Sequence, residues 1–236
     1  MNIYKYRIKL LDPLFYSREG LSAAITPKHL HATAINHAVA YAMSINSENQ
    51  PYIISEANGG RNTPRYKNSI ASDDFYFTPA RAEGNISYSP QIVKGELDGF
   101  IRKGYPGAEI LRASLLYFIS PESVFSGYVF SKKELEFPEM IRLGSFRGKA
   151  KLTLREVRIV KEIRSTLVDH PIDPLVHNAQ RGVMVNMFPY PVVENSICSE
   201  CIEICEGTTK RFVGIPAGYK LQEGDVINTN RNTLIF

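Results

Sequence analysis

Arg142, Arg147, Lys149, Lys151, Arg155, Arg158, Lys161 and Arg164 crowd one stretch of the chain, with only Glu156 and Glu162 against them. The stretch carries +6, whereas the whole chain of 236 residues carries +4, so everything else sums to −2. Basic charge gathered in this way is the footprint of a phosphate-binding surface. Inside the run, Gly144-Ser145-Phe146-Arg147-Gly148 sets two glycines around an aromatic ring and a cation. Glycines let a backbone approach phosphates and present N–H groups to them. Arg147 and Lys149 add charge, and Phe146 offers a face on which a base could stack. An ordinary turn with a buried Phe is the plainer alternative.

Histidines and cysteines are the other residues equipped for chemistry. Of His29, His31, His37, His170 and His177, His29 is the candidate general acid or base. It falls on the exposed stripe of a predicted helix, but no second catalytic group has a fixed spacing to it. The plainer reading is a polar residue in the first turn of that helix, and His37 reads as a core histidine. Cys198, Cys201 and Cys205 form C-x-x-C-x-x-x-C, one ligand short of a tetrahedral zinc site. His177 could supply the fourth, although no spacing demands it. In a strand Cys201 and Cys205 would share one face and Cys198 the other, so reduced cysteines without a metal are expected. Asp73-Asp74 and Asp169…Asp173 read as turn formers, and there is no P-loop or dinucleotide motif. No cofactor and no catalytic activity are expected.

The elements that position the cations begin with an alternating strand: Tyr4, Tyr6, Ile8 and Leu10 on one face, Lys5, Arg7 and Lys9 on the other. Thr26 as cap and Pro27 in the first turn predict a helix running to about Met43. Its apolar face is Leu30, Ala34, Ala38 and Tyr41, with Ala32, Ile35, Val39 and Met43 covering much of the rest. Only His29, Thr33 and Asn36 form a polar stripe, so the helix is packed on more than one side. Residues 46–111, rich in Gly, Pro, Asn and Ser, read as a long insertion with little helix and room for a hairpin. Ser114–Ile119 and Val124–Phe130 read as a hairpin across Ser120-Pro121-Glu122-Ser123. A short helix or turn follows around Lys132–Ile141, then the glycine loop. The last strand turns Ala150, Leu152 and Leu154 inward and Lys149, Lys151, Thr153 and Arg155 outward.

The order is βαββαβ, an α+β ferredoxin-like (RRM/RAMP) core over residues 1–165. Residues 166–236 form a β-rich C-terminal extension packed on the same domain, with a hairpin at Glu206-Gly207. In such a sheet the first and last strands are neighbours, which sets Lys5, Arg7 and Lys9 beside Lys149, Lys151 and Arg155 on the face away from the helices. The aromatic pairs with which RRM sheets stack bases are missing there, so backbone and shape recognition is expected. No apolar run is long enough to cross a bilayer and the N-terminus has no signal-peptide h-region, which predicts a cytoplasmic protein.

Several segments resemble a known family. Leu11-Asp12-Pro13-Leu14-Phe15-Tyr16-Ser17-Arg18-Glu19-Gly20 is similar to the start of the Csc-one family, the Cas-five-type subunit of type I-D CRISPR effector (Cascade) complexes. Asn36-His37-Ala38-Val39-Ala40-Tyr41-Ala42-Met43 resembles its helix motif, with His37 in place of the usual aromatic. Ile141-Arg142-Leu143-Gly144-Ser145-Phe146-Arg147-Gly148-Lys149-Ala150 looks like the glycine-rich loop of the wider RAMP superfamily. Pro171-Ile172-Asp173-Pro174-Leu175 and Asn186-Met187-Phe188-Pro189 are similar to the family's C-terminal part. The resemblance implies a RAMP core that grips the 5′ handle of the crRNA and caps the backbone, with the insertion acting as a thumb. It implies a large Cas-ten-like subunit and a Cas-seven-type backbone subunit as partners, with target DNA near the PAM left open. It assigns RNA contacts to Arg18, Arg142, Phe146, Arg147 and Lys149, to which the sheet face adds Lys5, Arg7, Lys9 and Lys151. The alternative within the superfamily is a metal-independent endoribonuclease that processes CRISPR repeat RNA through His29.

Overall fold

The computed structural model describes residues 1–16, 23–45, 55–58, 61–64, 70–94, 113–187 and 189–220. In chain order the elements are β1 (Asn2–Leu10), β2 (Ala23–Ile25), β3 (His29–Leu30), α1 (Ala32–Ala42), β4 (Ser55–Asn58), β5 (Arg61–Pro64), β6 (Phe75–Phe77) and β7 (Ala80–Ala82). There follow β8 (Tyr88–Lys94), β9 (Ala113–Ile119), β10 (Val124–Ser131), β11 (Met140–Leu143), β12 (Gly148–Glu156), β13 (Arg158–Leu167), β14 (Ala179–Val185), β15 (Val192–Glu206) and β16 (Thr209–Gly214). The described chain is therefore mostly β-sheet with one short helix.

The main sheet runs β11-β12-β1-β10-β7-β3, with β6 also on β10. Both neighbours of β1 are antiparallel to it, and β12 is one of them. The alternation read from β1 and β12 holds: Tyr6, Ile8, Leu10, Ala150 and Leu152 are buried in one core with Ile35 and Val39 of α1. Gly127 stands opposite Tyr6 in register. A Cβ there would lie 2.6 Å from the Tyr6 hydroxyl, which donates to the Thr78 carbonyl at 2.6 Å.

The helix starts later than Thr26 and Pro27 suggested. Leu30 and His29 pair with β7, which holds them extended, and His31 is the N-cap, its Nδ1 accepting the Thr33 N–H at 3.1 Å. Thr26 instead donates its hydroxyl to the Tyr117 carbonyl. The C-terminus is a Schellman turn with Ser44 left-handed at φ 54°, Ile45 N–H reaching Ala40 O and Ser44 N–H reaching Tyr41 O. The exposed stripe is also rotated from the expected one. Tyr41 is 61% exposed, whereas Thr33 and Asn36 are buried. Asn36 grips β6, donating to Phe77 O and accepting from Phe77 N–H, both at 2.8 Å. A polar side chain that satisfies a neighbouring backbone is more use inside than out.

Three further expectations change. The segment after β10 is not helical; it passes through bends and irregular chain into β11, which pairs with β12 through the glycine loop. Ser114–Ile119 and Val124–Phe130 do not form a hairpin. β9 pairs with β8 and β2 in a separate three-stranded sheet, while β10 enters the main sheet. Within 46–111, β6 and β7 are main-sheet strands, and only β4–β5 and β8 stand apart from it. Residues 46–54, 59–60, 65–69 and 95–112 lie outside the described residues.

The C-terminal strands make a four-stranded sheet around β15, and β15–β16 form the expected hairpin, with Gly207 at φ 63° in its turn. This sheet packs on the main sheet: Ile159, Ile202, Ile204 and Val213 share a second core with Ile3, Tyr76, Tyr128 and Phe130. Those four project from the face opposite α1. Part of the face expected to be open is therefore covered, and the remainder lies over β1, β12 and β11. Among the described residues no helix is long and apolar enough to cross a membrane.

Candidate nucleic-acid interface

The register of β12 on β1 sets Lys5 opposite Arg155 and Lys9 opposite Lys151, and β11 sets Arg142 opposite Lys149. Three like-charged pairs thus face each other directly on one sheet surface, an arrangement that weakens a sheet unless something neutralises it. On β1 the protein does so itself: Lys5 pairs with Glu206 at 2.7 Å, Arg7 with Glu83 at 2.8 Å, and Lys9 with Glu122. Arg142, Arg147, Lys149, Lys151, Arg155 and Arg158 are exposed and make no ion pair with any described residue. The two strands do lie together as read from the sequence, but the uncommitted cations belong to β11, β12 and the loop between them. The β1 cations are held by carboxylates from three other segments.

The glycine loop is built onto the residues after β1. Ser145 N–H donates to Phe15 O at 2.8 Å, and Lys149 N–H donates to the Asp12 carboxylate at 2.8 Å. Gly144 is left-handed at φ 76°, and a Cβ there would meet Leu14 Cδ1 and Phe15 O, each at 2.7 Å. Arg147 is also left-handed at φ 53°, and its carbonyl accepts from Arg142 Nη1 at 3.3 Å. Phe146 is 41% exposed and rests on Phe118 and Phe15 at centroid distances of 5.3 and 6.0 Å. An aromatic face braced from behind and flanked by Arg147 and Lys149 suits a stacked base beside its phosphates. Phe146 is therefore not the buried residue of an ordinary turn. Arg18 lies outside the described residues.

Sequence reasoning missed the parts that hold the loop. Asp12 ends β1 and also binds the Lys149 amide, and Phe118 on β9 braces Phe146. The one legible signal was Asp12-Pro13-Leu14-Phe15 itself, whose link to a loop 130 residues later is visible only in the fold.

The histidines are placed away from this row. His29 is on β3, at the far edge of the main sheet from β12, about 19 Å away at ordinary strand spacing. Its Nε2 lies 2.9 Å from Glu194 Oε1, which also has Arg81 within 3.8 Å. It is neither in a helix nor on an open stripe. His37 is buried, as expected. His31, His170 and His177 are buried in a polar knot around Asp173, which accepts from Tyr190 at 2.8 Å and Tyr76 at 3.4 Å. Burial lowers His170 to about 3, with neighbouring His177 adding to the effect, and burial lowers His31 to about 4 against the pull of Asp173.

All three cysteines are free. Cys198 and Cys201 share one buried cluster, contrary to their expected opposite faces, and the Cys201 thiol donates to the Cys198 carbonyl at 3.2 Å. Among the described residues no three His, Cys, Asp or Glu side chains form a metal-binding group.

The family described as Type I-D CRISPR-associated protein Cas5/Csc1 matches residues 1–224. A chain in the cryo-EM structure of the type III-B Cmr-beta bound to cognate target RNA and AMPPnP is similar at 12% identity, covering 83% of this chain and 86% of that chain, with a TM-score of 0.45. No curated protein matches.

Proposed function

The chain belongs to the type I-D CRISPR-associated Cas5/Csc1 family, whose members are subunits of CRISPR effector complexes, and from that premise we propose that it is a non-catalytic RNA-binding subunit. It holds the 5′ handle of the crRNA on β11, β12 and the glycine loop and caps the backbone. The large Cas-ten-like and Cas-seven-type subunits are its partners, and the cytoplasm is its compartment. The observation that carries this is the row of uncommitted cations beside a braced, half-exposed Phe146. We read β1, α1, β6–β7, β10 and β12 as the ferredoxin-like core, with β11 and the glycine loop standing where a second helix was expected. The distance of His29 from the row, and its pairing with Glu194, favour binding over cleavage.

The test is binding of repeat-derived single-stranded RNA across a range of salt. Removing Arg147 and Lys149 together should weaken binding at least tenfold and reduce the slope of log K against log salt by about 1.4, since each phosphate contact on a single strand contributes about 0.7. Lys9→Ala, which removes a cation already paired to Glu122, should leave the slope nearly unchanged. Equal slopes for wild type and the Arg147/Lys149 variant would rule the interface out. Cutting of repeat RNA that disappears in His29→Ala would establish the endoribonuclease alternative instead.

A further inference from the structure

The outward row on β12 does not end on the open sheet. Lys149, Lys151, Thr153 and Arg155 follow one another at alternate positions, about 6.7 Å apart, so the row covers roughly 20 Å from the glycine loop. That step is close to the spacing of phosphates in an extended single strand. At its far end the chain passes through one buried residue, Val157, into β13, which belongs to the second sheet. Between the two sheets there lies an open cleft of about 780 Å³ lined by Arg155, Arg158, Ile159, Val160, Cys205 and Glu206. An adjoining recess of about 300 Å³ shares Arg155 and Glu206 and reaches Lys5 and Arg7.

The charges inside are unevenly matched. Glu206 is tied on both oxygens, to Lys5 at 2.7 Å and to the Tyr128 hydroxyl at 2.7 Å. Its charge is committed to Lys5, which stands directly opposite Arg155. Glu156 also lines the cleft, but as the register partner of Tyr4 it leaves β12 on the face opposite Arg155. Arg155 and Arg158 are left without an ion pair among the described residues at the mouth of a cleft with apolar walls. A volume of this size accepts a small organic ligand, and cations beside an apolar wall suit a nucleotide: phosphate on the arginines, base against the half-buried Val160.

We propose that this cleft is a nucleotide site continuous with the RNA row, taking one nucleotide of the strand that leaves the glycine loop, its phosphate held by Arg155 and Arg158. The inference rests on the RNA-binding reading above and adds a second, separable contact to it. Contact at both ends of the row fixes the direction and register of the strand, which a single patch of charge does not.

Cys205 gives a native probe, because it lines the cleft and is the one cysteine of the three that is not buried. The experiment is alkylation of Cys205 with iodoacetamide in the full chain, followed by mass spectrometry, with and without saturating repeat-derived single-stranded RNA. RNA should slow the labelling at least about fivefold. Arg155→Ala with Arg158→Ala should bind the RNA about tenfold more weakly through the loop that remains, and should lose the protection even at saturation. Both arginines are exposed, so an unchanged thermal melt is expected as the folding control. RNA bound at the loop with Cys205 labelled at the unprotected rate overturns the cleft site and leaves the binding reading standing. Absence of RNA binding by the wild-type chain overturns both.

Discussion

Lys9 and Lys151 stand directly opposite one another, and only Lys9 has a carboxylate. Glu122 already neutralises Lys9, so Lys151→Thr should leave stability within about 0.5 kcal/mol in urea unfolding while lowering RNA affinity. A variant with unchanged affinity would mean that Lys151 is plain solvated surface. Asn36 makes the opposite case, a polar residue kept for structure. Asn36→Ala leaves the Phe77 N–H and C=O without their partner and should cost roughly 2–4 kcal/mol in the same measurement. Residue type alone could not separate these two roles, since both residues look like polar positions on a regular element. What separates them is whether a carboxylate or a backbone edge from a distant segment arrives beside them.

The decisive element is the β11–loop–β12 unit. It adds an edge to the main sheet in place of a second helix, and it is clamped through Ser145 and Lys149 to Asp12 and Phe15. Gly144→Ala should therefore destabilise by at least about 1–2 kcal/mol from the left-handed backbone alone. It should also weaken RNA binding, because the clash with Phe15 O displaces Phe146 and Arg147 together. Intact affinity in a destabilised Gly144→Ala protein would show that the loop does not take part in binding. The alternation of β1 and β12, the N-terminal edge of the core and the β15–β16 turn were legible because period-two patterns and Gly turns are local. The helix start was not. Thr26-Pro27 is a sound local cap signal, but pairing of His29 and Leu30 with β7 holds that stretch extended. The supposed hairpin at 120–123 failed for a similar reason: two adjacent β-rich runs can be claimed by different sheets.

Across the whole molecule, the two sheets and α1 meet at the buried knot of His31, His170, His177 and Asp173. Folded-state values lowered to about 4 and about 3 mean that His31 and His170 stay neutral in the native protein, while the unfolded chain takes up protons near 6.5. Their contribution is thus fully present above pH 6.5 and is lost as pH falls towards the folded values. Each should cost roughly 2 kcal/mol of stability at pH 5. Chemical denaturation at pH 7.5 and pH 5 should show that loss, and His170→Gln should remove about half of it, the share of His31 remaining. A stability unchanged between the two pH values would contradict the buried neutral state.

The sequence by itself determined the alternating strands, the concentration of positive charge between Arg142 and Arg164, and the glycine loop around Phe146, whose exposure it left open. These follow from backbone periodicity, local composition and glycine conformation, which act over a few residues. Only the tertiary structure decided which cations remain available. Glu83, Glu122 and Glu206 come from distant segments to neutralise Arg7, Lys9 and Lys5. The C-terminal sheet covers part of the face that looked open and leaves the cleft at its edge. Charge pairing and sheet-on-sheet burial are set by which segments meet in space, and spacing along the chain does not encode that meeting.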